Sequence, residues 1–228
     1  MRGEVAAVLF DLDGTLVDHA GVVAAALRAW LPSYGLSADA IEAVTPLWFD
    51  LEQRHYRAWR SGEISFEEQR RRRIRDFMPA VGALIPLGQL DGVFAEYLRC
   101  YASAWAAFED AAPALRRIAS AGLRVGVLTN GDYGQQTAKL AATGLIGLCG
   151  PVFASSELSA GKPDRRAYLV ACRRLGVLPG RVLMVGDDHE LDVVAARAAG
   201  LSAVLLDRSG SGSQPVAGIG SLRDLLPA

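Results

Sequence analysis

The chain has 228 residues, enough for one large domain or for a core that carries an insertion. Its apolar fraction of 51% supports a sizeable core, and a formal net charge of −1 gives no reason to expect a nucleic-acid partner. Cys100, Cys149 and Cys172 are far apart, odd in number and without metal-ligand spacing, which suggests a reducing compartment. No apolar run nears the roughly 20 residues of a membrane span. Strand-like sequence starts within a few residues of Met1, so no leader peptide is expected and the predicted location is cytoplasmic.

The first element is the apolar run Val5–Phe10, read as a buried strand that ends at Asp11-Leu12-Asp13-Gly14-Thr15. Four helical stretches follow between residues 20 and 107, with no convincing strand among them. The second, Ser37–Trp59, has apolar residues at helical spacing. The third opens on Ser65-Phe66-Glu67-Glu68, which fits a capping box. The fourth aligns Val93, Phe94, Tyr97, Leu98, Tyr101 and Trp105 along one side. This segment is read as an all-helical cap spanning 18–107, inserted into a core made of 1–17 and 108–228. The tryptophans at 30, 48, 59 and 105 suit packing of that cap.

Beyond residue 107, strands and helices alternate. The strands are Arg124–Thr129, Val152–Ala154, Arg181–Val185 and Ser202–Leu206. The helices are Pro113–Ala121, Gly134–Thr143, Pro163–Leu175, with proline at its first position, and Glu190–Ala199. Arg208–Gly220 reads as a loop and Ser221–Leu226 as a short final helix. The alternation predicts an α/β protein with a parallel sheet, in which ligands bind beyond the carboxyl ends of the strands. Three strands end in polar clusters at that edge: Asp11/Asp13, Thr129/Asn130 and Asp187/Asp188.

Two carboxylates two residues apart at a buried strand end repel one another. A divalent cation, or a proton kept on one of them, would relieve that repulsion. Asp11 is the candidate nucleophile and Asp13 the candidate acid/base, which would protonate a leaving oxygen and then activate water. Gly14 permits a sharp turn, and Thr15 offers a hydroxyl and an amide to a phosphate. The plainer alternative is a strand followed by an Asp-Gly turn. Thr129 and Asn130 are candidates for a phosphate oxygen, with a strand-end threonine before an Asn-Gly turn as the alternative. Of the 24 basic residues only Lys139 and Lys162 are lysines. An ammonium at Lys162 would neutralise both Asp11 and a phosphate, where a guanidinium fork would not fit. Asp187 can face Asp11 across the sheet edge. Together with the Asp11 carboxylate and the Asp13 carbonyl it would suit Mg²⁺. Asp188 and Glu190 are the best candidates for helix capping.

Asp11–Thr15, Thr129, Lys162 and Gly186–Asp192 together resemble the four signature motifs of the haloacid dehalogenase-like hydrolase superfamily, in its subfamily with a helical cap and its phosphatase branch. The resemblance covers the whole chain. It implies a Rossmann-like core with an inserted helical-bundle cap, Asp11 as nucleophile, Asp13 as acid/base, Thr129 and Lys162 as phosphate and charge anchors, and Asp187 as metal ligand. Asp192 resembles the second acid of the fourth motif. Many relatives read Gly-Asp-Ser-x-x-Asn-Asp there. Here Asp188 replaces the serine and Leu191 the asparagine, so Asp188 and Asp192 stand as ligands or as groups one step behind the metal.

The expected activity is Mg²⁺-dependent hydrolysis of a small phosphate ester through an aspartyl-phosphate, by a monomer or homodimer. Rivals are a phosphosugar mutase on the same scaffold and a non-catalytic phosphoacceptor or binding relative. A phosphonatase usually needs a cap lysine, and both lysines here fall in the core. Arg54, His55, Arg57 and Arg70–Arg73 are candidates for contacts to an anionic leaving group, although adjacent arginines on a helix must mostly face solvent. His19 and His189 lie near the motifs and suit a surface role equally well.

Overall fold

The computed structural model describes residues 4–208, 210 and 218–225. In chain order, β1 is Ala7–Phe10, α1 His19–Trp30, α2 Ala38–Arg60, α3 Phe66–Phe77, α4 Leu90–Ser103 and α5 Ala111–Ser120. Then come β2 (Arg124–Thr129), α6 (Tyr133–Ala142), β3 (Val152–Ala154), α7 (Arg165–Leu175), β4 (Val182–Gly186), α8 (Ala195–Ala198) and β5 (Ser202–Leu205). The chain divides into two compact units, Met1–His19 with Trp105–Ala228, and Ala20–Ala104.

The first unit holds a parallel five-stranded sheet in the order β3-β2-β1-β4-β5. All four residues of β1 are buried because helices cover both faces of the sheet. Its side chains alternate between two cores. Ala7 and Leu9 join Leu128, Tyr168, Cys172 and Met184, under α7 and α8. Val8 and Phe10 join Leu115, Ile118, Val127 and Leu140, under α5 and α6. The chain leaves β1 toward β2 on one side and later reaches β4 on the other. The topological switch point therefore lies at the carboxyl end of β1.

The helical unit packs around aromatic rings. Trp48 lies 4.9 Å from Phe77 and 4.3 Å from Tyr97, and Trp30 lies 5.8 Å from Trp48. Trp59 lies 5.0 Å from Phe66 with the two rings tilted by 57°. Ser37 and Ser65 cap α2 and α3 by accepting from the amides of Ala40 and Glu68. The reciprocal half of the expected capping box is replaced, since Glu68 turns to Arg72 at 2.9 Å.

Several expected boundaries shift. Trp105 lies beyond the end of α4 and falls in the sheet-containing unit. Helix α7 begins at Arg165, because the Asp164 carboxylate accepts the Arg166 amide and sets the cap there. Pro163 precedes the helix rather than opening it. The single helix expected over Glu190–Ala199 is a wide π-type turn, His189–Val194, that runs into α8. Most of the expected Arg208–Gly220 loop and the end of the final helix lie outside the described residues. Leu222–Asp224 form one 3₁₀ turn.

Candidate active site

Strand β1 carries Asp11 and Asp13 to the carboxyl edge of the sheet. Gly14 follows at φ +86°, a left-handed conformation that favours glycine. It also has to be small, because a Cβ there would stand 2.1 Å from Asp187 Oδ2. Gly186, at the end of β4, is required in the same way, since its Cβ would fall 2.1 Å from Asp192 Oδ2. These two glycines let the acidic side chains of the β4 segment close onto the β1 edge.

One carboxylate oxygen from each of Asp11, Asp187 and Asp192 lies within 4.8 Å of the others. Lys162 is buried and donates to Asp11 Oδ1 and to Asp192 Oδ1, both at 2.6 Å. Three carboxylates around one ammonium carry excess negative charge. Burial raises the Asp11 carboxyl well above its usual range. Lys162 opposes this, and Asp192 and Asp187 reinforce it. Asp192 is likewise raised by burial, against the pull of Lys162. Asp187 is exposed as a residue, but its carboxyl tucks against Gly14. Desolvation, and then Asp192, push it up to about 7.

Lys162 owes its place to Asn130. The Asn130 side chain donates to the Lys162 carbonyl at 2.7 Å and accepts the Lys162 amide at 2.8 Å. This clamp uses the Asn130 side chain to position the lysine and involves none of Asn130's own main-chain atoms. Thr129 is buried at the end of β2, where its hydroxyl accepts from Gln136 Nε2 at 2.9 Å.

Asp13 sits apart from the acidic cluster, with donors of its own. Lys139 Nζ donates to Oδ1 at 2.5 Å, and Gln136 Nε2 donates to Oδ2 at 3.2 Å. Burial would raise this carboxyl, but Lys139, His19 and Gln136 outweigh it and hold it below the usual value. Asp11 and Asp13 thus have environments that push them in opposite directions, an arrangement suited to two carboxylates with different tasks.

The remaining candidates separate clearly. Asp188 caps the π-type turn by accepting the amides of Glu190 and Leu191, both at 2.9 Å. Asp192, expected behind or beside the metal, stands in the acidic cluster itself. Thr15 is buried, with its hydroxyl 3.5 Å from Asp187 Oδ1. His189 pairs with Glu190 at 3.1 Å. In the helical unit, His55 is buried on Asp76 at 2.8 Å and is therefore not a free contact for a leaving group. Arg54 and Arg57 are exposed. Arg71 and Arg72 are held by Asp91 and Glu68. Arg73 is the one buried member of the run, held by Glu52 and Gln69.

Sequence reasoning missed Gln136 and Lys139 as site residues. Their signal was available, since they lie one helical turn apart just after the Thr129 strand, and Lys139 is one of two lysines among 24 basic residues.

A haloacid dehalogenase-like hydrolase profile matches residues 5–200. The chain belongs to this family of hydrolases. It is 29% identical over 208 residues to a glyceraldehyde 3-phosphate phosphatase of Methanopyrus kandleri, covering 90% of this chain and 84% of that one. It is 30% identical over 202 residues to a phosphoglycolate phosphatase of Xanthomonas campestris, covering 87% and 81%. Among solved structures, the HAD-hydrolase YfnB from Bacillus subtilis superposes with a TM-score of 0.81 at 20% identity, covering 98% of this chain and 97% of that one. A dehalogenase superposes with a TM-score of 0.77 at 25% identity, covering 97% and 96%. No helix among the described residues is long and apolar enough to cross a membrane.

Proposed function

We propose that this hydrolase is a Mg²⁺-dependent phosphatase that cleaves a small phosphorylated metabolite through an aspartyl-phosphate on Asp11. The observation that carries the reading is the pair of acids at the end of β1. Asp11 lies in the acidic cluster with Lys162, and Asp13 lies in a separate set of donors. A second acid two residues after the nucleophile is the feature that the dehalogenase branch lacks.

An Asp11 carboxylate oxygen attacks phosphorus, and the bond from phosphorus to the ester oxygen breaks. The departing oxygen takes a proton from Asp13. Asp13 then takes a proton from water, whose oxygen attacks phosphorus. The acyl-phosphate bond breaks, which restores Asp11 and releases phosphate. Asp13 is held ionised in the free site, the form its base role needs. An arriving phosphate dianion raises a neighbouring carboxyl and so favours the acid form. Lys162 compensates charge at Asp11, and the Thr129 hydroxyl serves a phosphate oxygen.

The donor set fits a hard divalent cation. Asp11, Asp187 and Asp192 offer only oxygens, one from each within 4.8 Å of the others, as a hard divalent cation requires. These three, with the Asp13 main-chain carbonyl, would hold Mg²⁺. When bound, the ion supplies charge neutralisation for the phosphoryl group and the nucleophile. The glyceraldehyde 3-phosphate and phosphoglycolate phosphatases among its relatives support a small phosphate ester as substrate.

Asp11→Asn removes the nucleophile without changing size. Turnover of p-nitrophenyl phosphate should fall more than about 1,000-fold, with the thermal unfolding profile retained. Undiminished activity in that variant would exclude Asp11. Free phosphate should be the product of a metabolite screen. An isomerised sugar phosphate with no free phosphate would indicate a mutase instead.

A further inference from the structure

We propose that Gln136 and Lys139 are positioning residues that hold the Asp13 carboxyl at the leaving-group oxygen. The inference rests on the reading of Asp13 as proton donor. It is carried by placement. Both residues lie on the buried face of α6, three positions apart, and both are almost fully buried. Each Asp13 oxygen meets its own donor: Lys139 Nζ at 2.5 Å from Oδ1, and Gln136 Nε2 at 3.2 Å from Oδ2. Two donors from one rigid helix leave the carboxyl a single orientation.

Gln136 does more than hold Asp13. The same Nε2 donates to the Thr129 hydroxyl at 2.9 Å, so one amide registers the acid/base against the phosphate anchor. An amide can turn only its NH₂ toward a carboxylate. That requirement leaves Gln136 Oε1 buried without a hydrogen-bond partner. A residue chosen for packing alone would not strand a polar atom in a core. Lys139 is equally costly as packing, because a buried ammonium needs a compensating charge. The chain has two lysines, and each ends on a different carboxylate of the first motif, Lys162 on Asp11 and Lys139 on Asp13.

Positioning of a proton donor has a signature that general destabilisation lacks. p-Nitrophenolate leaves readily without a proton, whereas the more basic oxygen of phenyl phosphate depends on one. The test compares kcat/KM for the two substrates in the wild type, Lys139→Met, Gln136→Leu and Asp13→Asn. The expected result is a loss of about 100-fold on phenyl phosphate in Lys139→Met and a loss at least about 10-fold smaller on p-nitrophenyl phosphate. Asp13→Asn should show the same preference. Gln136→Leu should show it more weakly and also raise KM for both substrates, through Thr129.

Equal losses on both substrates in folded Lys139→Met, or no loss on either, would overturn the proposal. If Lys139→Met fails to fold, Gln136→Leu decides by the same ratio. Wild-type-like turnover in Asp11→Asn would instead remove the aspartyl-phosphate reading, which is a separate failure.

Discussion

Asp187 shows how strongly desolvation, and then a neighbouring carboxylate, favour the protonated form at this edge. Burial in the fold pushes its carboxyl up to about 7, from the ordinary carboxylate value of the unfolded chain. A raised folded value means that the fold favours the protonated form. Stability from this group is therefore complete at low pH and is lost as pH climbs from about 4 through about 7. Without divalent cation, the melting temperature should decline across that window. Mg²⁺ competes with the proton for the same oxygens, so its stabilising shift should be larger at pH 8 than at pH 5.5. Differential scanning fluorimetry with and without Mg²⁺ at the two pH values measures this. An equal shift at both would show that Asp187 does not belong to the ion's site. EDTA should abolish turnover and Mg²⁺ should restore it; full turnover in EDTA would contradict the ligand set.

At the scale of elements, the site depends on how each strand ends. Strand β4 stops at Gly186 so that Asp192, one π-type turn later, can fold back over it. The Asp188 cap accepts two amides and holds that turn open. Gly186→Ala would place a methyl group 2.1 Å from Asp192 Oδ2, a contact that cannot be kept. Asp192 must then leave Lys162 and the acidic cluster. The expected outcome is loss of Mg²⁺-dependent turnover by more than about 100-fold, together with a destabilisation of about 1–3 kcal/mol. Kinetics and urea unfolding read the two effects, and wild-type behaviour in both would show that the close approach is dispensable.

At the scale of the whole molecule, the doubly covered sheet ties distant chain segments to the β1 edge. Asp110, just before α5, collects the C-terminal segment. Arg208 donates to both its oxygens, at 3.0 and 2.9 Å, and Ser221 and the Leu222 amide add bonds at 2.7 and 2.9 Å. The Arg208 guanidinium also lies over Phe108 at 3.7 Å and donates to the Thr15 carbonyl, so this anchor reaches the last residue of the first motif. Burial opposes ionisation of Asp110, but these donors outweigh it and hold its carboxyl below the usual value. A depressed folded value contributes stability that is present above the unfolded pKa and lost as pH falls through the folded one. Asp110→Asn should therefore cost about 1–3 kcal/mol at pH 7 and less below pH 4. Urea titrations at the two pH values check this, and a cost independent of pH would show that the charge is not what holds the segment.

The sequence alone determined the parallel α/β core, the helical insertion and the residue types at the sheet edge, because these depend on local periodicity and on strand ends. The runs ending at Phe10, Thr129 and Ala154 are strands ending at those residues, and Asp188 is a cap. Tertiary structure alone decided which side chains meet. The Asn130 side chain grips the Lys162 backbone across 32 residues of chain. His55 and Arg73, candidates for contacts to a leaving group, are buried on Asp76 and Glu52, each an acid of the facing helix. Lys139 and Gln136 reach Asp13 across 126 and 123 residues of chain. Hydrogen bonds between distant segments leave no spacing in the sequence. They arise only when strand order brings the ends of β1, β2 and β4 to a single edge.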